Sequence, residues 1–434
     1  VIRLLQGDCR DVLATLPADS VHCVVTSVPY YGLRDYGCAG QIGLEATPDE
    51  WLATLVGVFR EVRRVMRPDA TLWLNVGDAY ASSPSGSFDN GGRGSGALQG
   101  GGFRSNKRST LGNGYKAKDL LMMPARLAIA LQQDGWWVRS DIIWAKPNPM
   151  PESVTDRPTS AHEHVFLLAK QARYFYDGAA VAEPSLREGD LPGGQGGFID
   201  LRLGNYKSGF AAAGQRPVAA TRNLRNVWTI ATEPFPAAHY AVYPTALVER
   251  CIKAGTSERG CCAQCGAPRV RQTDKTLIPL QAVNNVRSCD QNNRGAMPRV
   301  NVATTTTGWA PSCTHNADVM PCTVLDPFVG SGTTCLVADR LQRDAIGIDL
   351  NTSYAQMAVE RCRNDAPLLT EFEMPPAEDP EDTRMADLFA ELEEYPVRDL
   401  PKPHRVPAGW DTGPGAHGTI HRTGRTLPTE LEND

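Results

Sequence analysis

Hydrophobic and polar positions alternate between two rhythms along most of the chain. Short apolar runs at Ile2–Leu5, Val21–Val25, Thr71–Val76, Trp137–Trp144, Glu163–Ala169, Val324–Leu325 and Ala345–Ile348 read as strands. Between them lie segments with helical spacing. Trp51, Leu52, Leu55, Phe59, Val62 and Met66 mark one helix face, opened by the capping box Thr47-Pro48-Asp49-Glu50. Helices are also predicted over Arg10–Leu16, Asp119–Gln133, from Pro244 to Gly255, and from Thr333 onward. Alternation of this kind predicts an α/β protein built on a mostly parallel sheet. Ligands of such sheets bind beyond the carboxyl ends of the strands.

Two stretches break the alternation. Residues 81–115 and 177–225 are rich in glycine and carry Arg93, Arg104, Lys107, Arg108, Arg187, Arg202, Lys207, Arg216, Arg222 and Arg225. Dispersed cations of this kind suit phosphate contacts and guanine readout on DNA. The net charge of −5 argues against a polyanion partner only until it is located. Residues 366–434 hold fifteen acidic and six basic side chains, which leaves the remainder mildly basic. That proline-rich acidic tail is expected to be largely disordered. No apolar run reaches the ~18–20 residues of a membrane span, and no signal peptide is evident, so a cytoplasmic location is expected.

Chemistry concentrates at two strand ends. Thr26-Ser27-Val28-Pro29-Tyr30 follows an apolar run, where a stiff aromatic loop serves a ligand better than a plain turn. Further on, Asp326-Pro327-Phe328-Val329-Gly330-Ser331-Gly332-Thr333-Thr334 joins a strand to a helix whose free N–H groups face the turn. The next strand ends in Asp349, placed for the hydroxyls of a ribose.

Together these stretches resemble the S-adenosylmethionine-dependent DNA amino-methyltransferases. The first is similar to their T-S-P-P-Y motif and the second to their D-P-F-x-G-S-G-T-T loop. Trp144–Ser153, His162-Glu163-His164, Asn226-Val227-Trp228 and His239–Pro244 extend the likeness over most of residues 1–365. The order, catalytic motif before cofactor loop, resembles the β class, which implies a circularly permuted Rossmann-like sheet. The resemblance implies that Ser27 and the carbonyl of Val28 accept the amino hydrogens of a flipped base, with Pro29 stiffening the loop and Tyr30 stacking on the base. It implies that Asp8 contacts the adenine of the cofactor, Asp349 its ribose, and Phe328, Gly330 and Gly332 its methionine part, within a pocket that also includes Asp326 and Thr333. Serine heading the motif leans toward N4 of cytosine, with N6 of adenine left open. Val28 stands where the family has proline and gives up a fixed φ, so a weak or silent DNA-binding relic is a rival reading. An amino-methyltransferase of RNA or protein is another. Double-stranded DNA is the expected partner, together with a cognate restriction endonuclease.

Most of the twelve cysteines fall inside apolar patterns, as Cys9, Cys23, Cys335 and Cys362 do, and read as core. The exception lies between Gly255 and Thr323, where Cys262-Ala263-Gln264-Cys265-Gly266 has the spacing of a zinc knuckle, Cys313 and His315 are the pair expected to complete it, and Cys289 and Cys322 are also nearby. His162 and His164 lack the spacing of a helical metal motif. The expected organisation is a catalytic half over 1–180 with its loop at 26–37 and a mobile loop at 81–115. A target-recognition region at 181–235 and a helix completing the cofactor pocket at 236–255 come next. A zinc-binding insertion at 256–322, a cofactor-binding half at 323–365 and the tail at 366–434 complete the chain.

Overall fold

The computed structural model describes residues 1–33, 35–81, 115–184, 218–219, 221–233, 242–279, 300–365 and 372–373. Nearly all of the 81–115 loop, much of the 181–235 region, His239–Ala241 and the tail lie outside them. The chain divides into two units, Val1–Pro375 and Pro376–Asp434, and every described residue belongs to the first.

The elements are β1 (Ile2–Gln6), α1 (Cys9–Thr15), β2 (Val21–Ser27), α2 (Pro48–Val65), β3 (Met66–Val76), α3 (Met123–Gln133), β4 (Trp137–Ala145) and β5 (His162–Ala169). Three short strands come next, β6 (Glu183–Pro184), β7 (Val218–Ala219) and β8 (Thr221–Arg222), then β9 (Val227–Thr229) and α4 (Thr245–Gly255). The segment that follows α4 contributes β10 (Cys261–Cys262), β11 (Arg269–Pro279), β12 (Val300–Pro311) and β13 (Val319–Met320). Last come β14 (Thr323–Asp326), α5 (Thr333–Arg340), β15 (Asp344–Asp349), α6 (Thr352–Asp365) and β16 (Phe372–Glu373).

Nine strands form one sheet in the order β16-β1-β15-β14-β2-β3-β5-β4-β9. β1, β15, β14, β2 and β3 run parallel, and β5 lies antiparallel to both β3 and β4. Helices α1, α2 and α3 pack as one layer, and α4, α5 and α6 as another. A strand covered on both faces needs apolar residues throughout, and six consecutive residues of β2 are buried, Val21 to Thr26. Cys9, Cys23, Cys335 and Cys362 are buried in this core.

Local chemistry sets the helix ends. Thr47 Oγ1 accepts from the Glu50 N–H at 3.1 Å, Pro48 takes the first turn, and Arg63 and Arg64 sit in the last turn against the negative end of the dipole. Trp51, Leu55, Val58, Phe59, Val62 and Val65 form the buried stripe of α2. Two expected boundaries shift. α3 starts at Met123 rather than Asp119, because Met122 takes a left-handed conformation and Pro124 fits only the first turn. β2 runs on to Ser27, which places the first two motif residues in the sheet and only Val28 onward in the loop.

Candidate active site

Four parallel strands, β1, β2, β14 and β15, deliver their carboxyl ends to one edge of the sheet, and a cleft open to solvent lies there. Ser27, Val28, Pro29 and Tyr30 line one side, with Asp8, Phe328, Gly330, Thr333 and Asp349 on the other. Tyr36, Ile42, Val242, Leu350 and Tyr354 complete its largely apolar wall. Asp326 and Gly332 do not line it; they shape it from behind.

Asp326 is fully buried at the end of β14. Its Oδ1 accepts from Thr26 Oγ1 at 2.6 Å and the Phe328 N–H at 3.1 Å; its Oδ2 accepts from Thr334 Oγ1 at 2.6 Å and the Tyr243 hydroxyl at 2.8 Å. Burial raises the carboxyl above its ordinary value, and the side-chain and backbone donors oppose that. This one carboxylate therefore joins β2, the segment before α4, and the start of α5. Glycine at 332 has φ +78°, and an added Cβ there would lie 2.7 Å from that of Ala358 on α6. Arg361, also on α6, holds the turn from outside: its guanidinium donates to the Ser331 carbonyl at 3.2 Å, Ser331 Oγ at 3.1 Å and Thr333 Oγ1 at 2.7 Å.

Asp349 ends β15 with both oxygens turned to backbone. Oδ2 accepts from the Gly330 N–H at 2.9 Å and Oδ1 from the Asn351 N–H at 2.8 Å. Burial dominates over these bonds and raises its carboxyl to about 6. Asp8 caps α1 and is held by Arg10, whose side chain lowers its carboxyl below the usual range.

On the opposite side the Tyr30 hydroxyl donates to Glu163 Oε2 at 2.7 Å and approaches Asn75 Oδ1 at 3.2 Å. Asn75 Nδ2 donates to the same Glu163 oxygen at 3.0 Å, and Lys146 pairs with the other. Burial, then the Glu163 charge, push the Tyr30 phenol well above its ordinary value and keep it a donor. Val28 is buried, and its N–H donates to the Asn75 carbonyl at 3.4 Å, a bond that proline lacks. Gly77 gives the Tyr30 ring its space, since a Cβ there would stand 2.4 Å from Cε2.

Glu163 and Lys146 belong to stretches that the sequence marked without giving them a role. Asn75, Gly77 and Arg361 carried no signal at all, because each matters through a contact 30 or more residues away. His162 and His164 pack edge to face, and His164 Nδ1 meets Asp141 Oδ1 at 2.9 Å. Away from the cleft, Cys262, Cys265, Cys313 and His315 converge on one another. No described helix is long and apolar enough to cross a membrane.

The sequence matches the DNA methylase family model over residues 21–263 and 319–360. It is 35% identical over 359 residues to the type II methyltransferase M.SmaI of Serratia marcescens, covering 83% of this chain and 90% of the relative. The type II methyltransferase M.Cfr9I of Citrobacter freundii is 36% identical over 368 residues, 83% of this chain and 88% of the relative. Among solved structures the cytosine-N4-specific PvuII DNA methyltransferase superposes with a TM-score of 0.47 at 15% identity, covering 90% of this chain and 91% of that one.

Proposed function

Because this chain belongs to the DNA methylase family of amino-methyltransferases, we propose that it moves a methyl group from S-adenosylmethionine to the exocyclic amino nitrogen of a base flipped out of double-stranded DNA, at N4 of cytosine. The observation that carries this reading is the convergence of Ser27–Tyr30 with Gly330 and Asp349 on one cleft. The order of the chain, with β2 ahead of β14, supports a β-class permutation.

The cleft fits the cofactor. It joins apolar walls to an acidic residue at a strand end, and glycine turns leave backbone N–H groups close by. Asp349 would take the ribose hydroxyls, Asp8 would meet the adenine, and Phe328 to Ser331 would face the methionine part, with Gly332 shaping the turn from behind. Thr333 closes the wall, while Asp326 holds the turn in shape. When bound, the cofactor supplies an electrophilic methyl on sulfonium.

The remaining work falls to the protein. An exocyclic amino group is a poor nucleophile because its lone pair is delocalised into the ring. Ser27 Oγ and the Val28 carbonyl accept its two hydrogens and draw the nitrogen toward tetrahedral geometry. Transfer would form the N–C bond as the methyl–sulfur bond breaks, leave the sulfur as a neutral thioether, and release one amino proton to solvent. Pro29 limits the loop's freedom, and Tyr30 offers its ring to the base while Glu163 and Asn75 hold its hydroxyl. Cys262, Cys265, Cys313 and His315 do not line the cleft.

The direct test incubates the protein with unmethylated DNA and tritiated cofactor, then digests the DNA to nucleosides. Label in N4-methylcytosine supports the full reading, and label in N6-methyladenine moves the target base. Unlabelled DNA from protein that still binds the cofactor overturns catalysis in favour of a silent DNA-binding relic.

A further inference from the structure

After α4 the chain leaves the sheet and comes back at β14. Its outgoing and returning ends pair as β10 with β13, Cys261 opposite Met320 and Cys262 opposite Val319, and the Ala263 N–H donates to the Asp318 carbonyl at 2.9 Å. Between these ends β11 and β12 form a long antiparallel ribbon. Thr273 to Thr276 and Thr304 to Thr307 are exposed at every position, so both faces of the ribbon there are wet. That exposed stretch has no apolar layer to fix its register, and β7 adds only Val218 and Ala219 beside Asn301 and Val302 at the far end, so the ribbon depends on anchors near its base. Arg271, paired with Asp177 and Glu258, is one of them, and the cysteine cluster is a second.

At that base the ligand atoms of Cys262, Cys265, Cys313 and His315 all lie within 4.8 Å of one another, with Cys262 Sγ 4.0 Å from His315 Nδ1. Bond lengths of ~2.3 Å to sulfur and ~2.0–2.1 Å to nitrogen around a tetrahedral zinc place neighbouring ligands roughly 3.5–3.8 Å apart. The cluster needs only a small contraction to reach that. Gly266, at φ +68°, donates its N–H to the Cys262 carbonyl at 2.7 Å, which closes the turn that brings the two cysteines together. We infer that these four side chains bind one zinc ion, which clamps the two ends of the ribbon. Three thiolates and an imidazole in tetrahedral array suit zinc over harder divalent ions.

The site is structural, and its place in the fold says why. The Gly266 carbonyl meets His22 Nε2 at 2.9 Å, the Thr323 N–H donates to His22 Nδ1 at 3.0 Å, and Arg67 donates to the Cys265 carbonyl at 2.5 Å. His22 and Thr323 stand at the starts of β2 and β14, the ends away from the cleft; five residues of strand span roughly 17 Å. Both nitrogens of His22 are thereby engaged, which excludes a metal on the neighbouring trio His22, Cys261 and Cys322. The family match omits residues 264–318, so three of the four ligands lie outside the segments that the family model covers.

Full-length protein purified without chelator or added metal is expected to carry one equivalent of zinc by elemental analysis. After exchange to cobalt it should show the visible bands of a tetrahedral thiolate site. His315→Cys should keep both signals, and His315→Ala should lower zinc retention against a competing chelator by about tenfold or more. Cys262→Ser with Cys265→Ser should lose the metal. Zinc below about a tenth of an equivalent with no cobalt spectrum, iron in its place, or full zinc in the double serine variant overturns the site. The inference is independent of methyl transfer: protein that fails to label DNA can still bind zinc, and the reverse also holds.

Discussion

At the scale of single residues, much of the candidate chemistry depends on side chains other than those of the two motifs. Tyr30 can present a ring to a base only if the ring is held, and Gly77 and Glu163 hold it from two directions. Gly77 has no left-handed backbone to preserve, so alanine there adds only a Cβ in the space of the ring. Gly77→Ala is expected to lower single-turnover methylation by about a hundredfold, the scale of a misplaced reacting group, with cofactor affinity unchanged by calorimetry. Full activity in that variant would remove Tyr30 from the mechanism. Asp349 gives a pH dependence. Its carboxyl is raised to about 6, so in the free protein it takes up a proton as pH falls through 6. Accepting from ribose hydroxyls favours the ionised form. Affinity for the cofactor should therefore be full above 6 and fall by up to about tenfold per pH unit below it. Asp349→Asn should bind weakly at every pH, without that slope. Val28 shows where inference from a family pattern meets a local cost: proline in its place would fix φ but forfeit the N–H bond to Asn75, so Val28→Pro should bring no gain in activity.

Elements were legible wherever one local rule decided them. α2 announced itself through its cap, its proline and a stripe at 3.6 spacing, and all three are present in the structure. The strands ending at Ser27, Asp326 and Asp349 were legible as apolar runs stopped by polar turns. Knuckle spacing brought Cys262 and Cys265 forward as a pair. What could not be read depends on distant pairing. Nothing local to His162–Ala169 says that it runs antiparallel between β3 and β4, because strand direction is fixed by the whole sheet. The extra turn assigned to α3 before Pro124 was a propensity reading that Met122's left-handed conformation overrides. The grip of α6 on the glycine turn was equally hidden, since Arg361 looks like any basic residue on a polar helix face. That grip is testable. Arg361→Met keeps the length of the side chain and removes three hydrogen bonds to Ser331 and Thr333. Charged hydrogen bonds contribute about 1.5–3 kcal/mol, so cofactor affinity should drop by tenfold or more while the secondary structure by circular dichroism stays the same. Unchanged affinity would mean that the turn holds its own shape.

For the molecule as a whole, the two ends of the central strands divide the labour. Strand starts carry the cysteine cluster and the ribbon, and strand ends carry the cleft, with the packed sheet between them. If that division holds, the insertion can be removed without touching the cofactor. The Ala263 N–H already bonds the Asp318 carbonyl across the base of the insertion, so an Asn-Gly turn replacing residues 263–318 can connect Cys262 to Val319 as an ordinary hairpin. The deletion removes the Gly266 carbonyl, which leaves the buried His22 Nε2 without its acceptor, and Arg271, which leaves the buried Asp177 carboxylate without its ion pair, an expected loss of about 3–5 kcal/mol or more in stability. Arg67 loses its bond to the Cys265 carbonyl but keeps Asp69. The shortened chain should therefore melt several degrees lower, contain no zinc, and bind S-adenosylmethionine within about twofold of the full chain. Thermal denaturation, elemental analysis and calorimetry on the same preparation test all three. A folded variant that has lost the cofactor would show that the insertion supports the cleft through the sheet, and the two ends would then have to be treated as one coupled system.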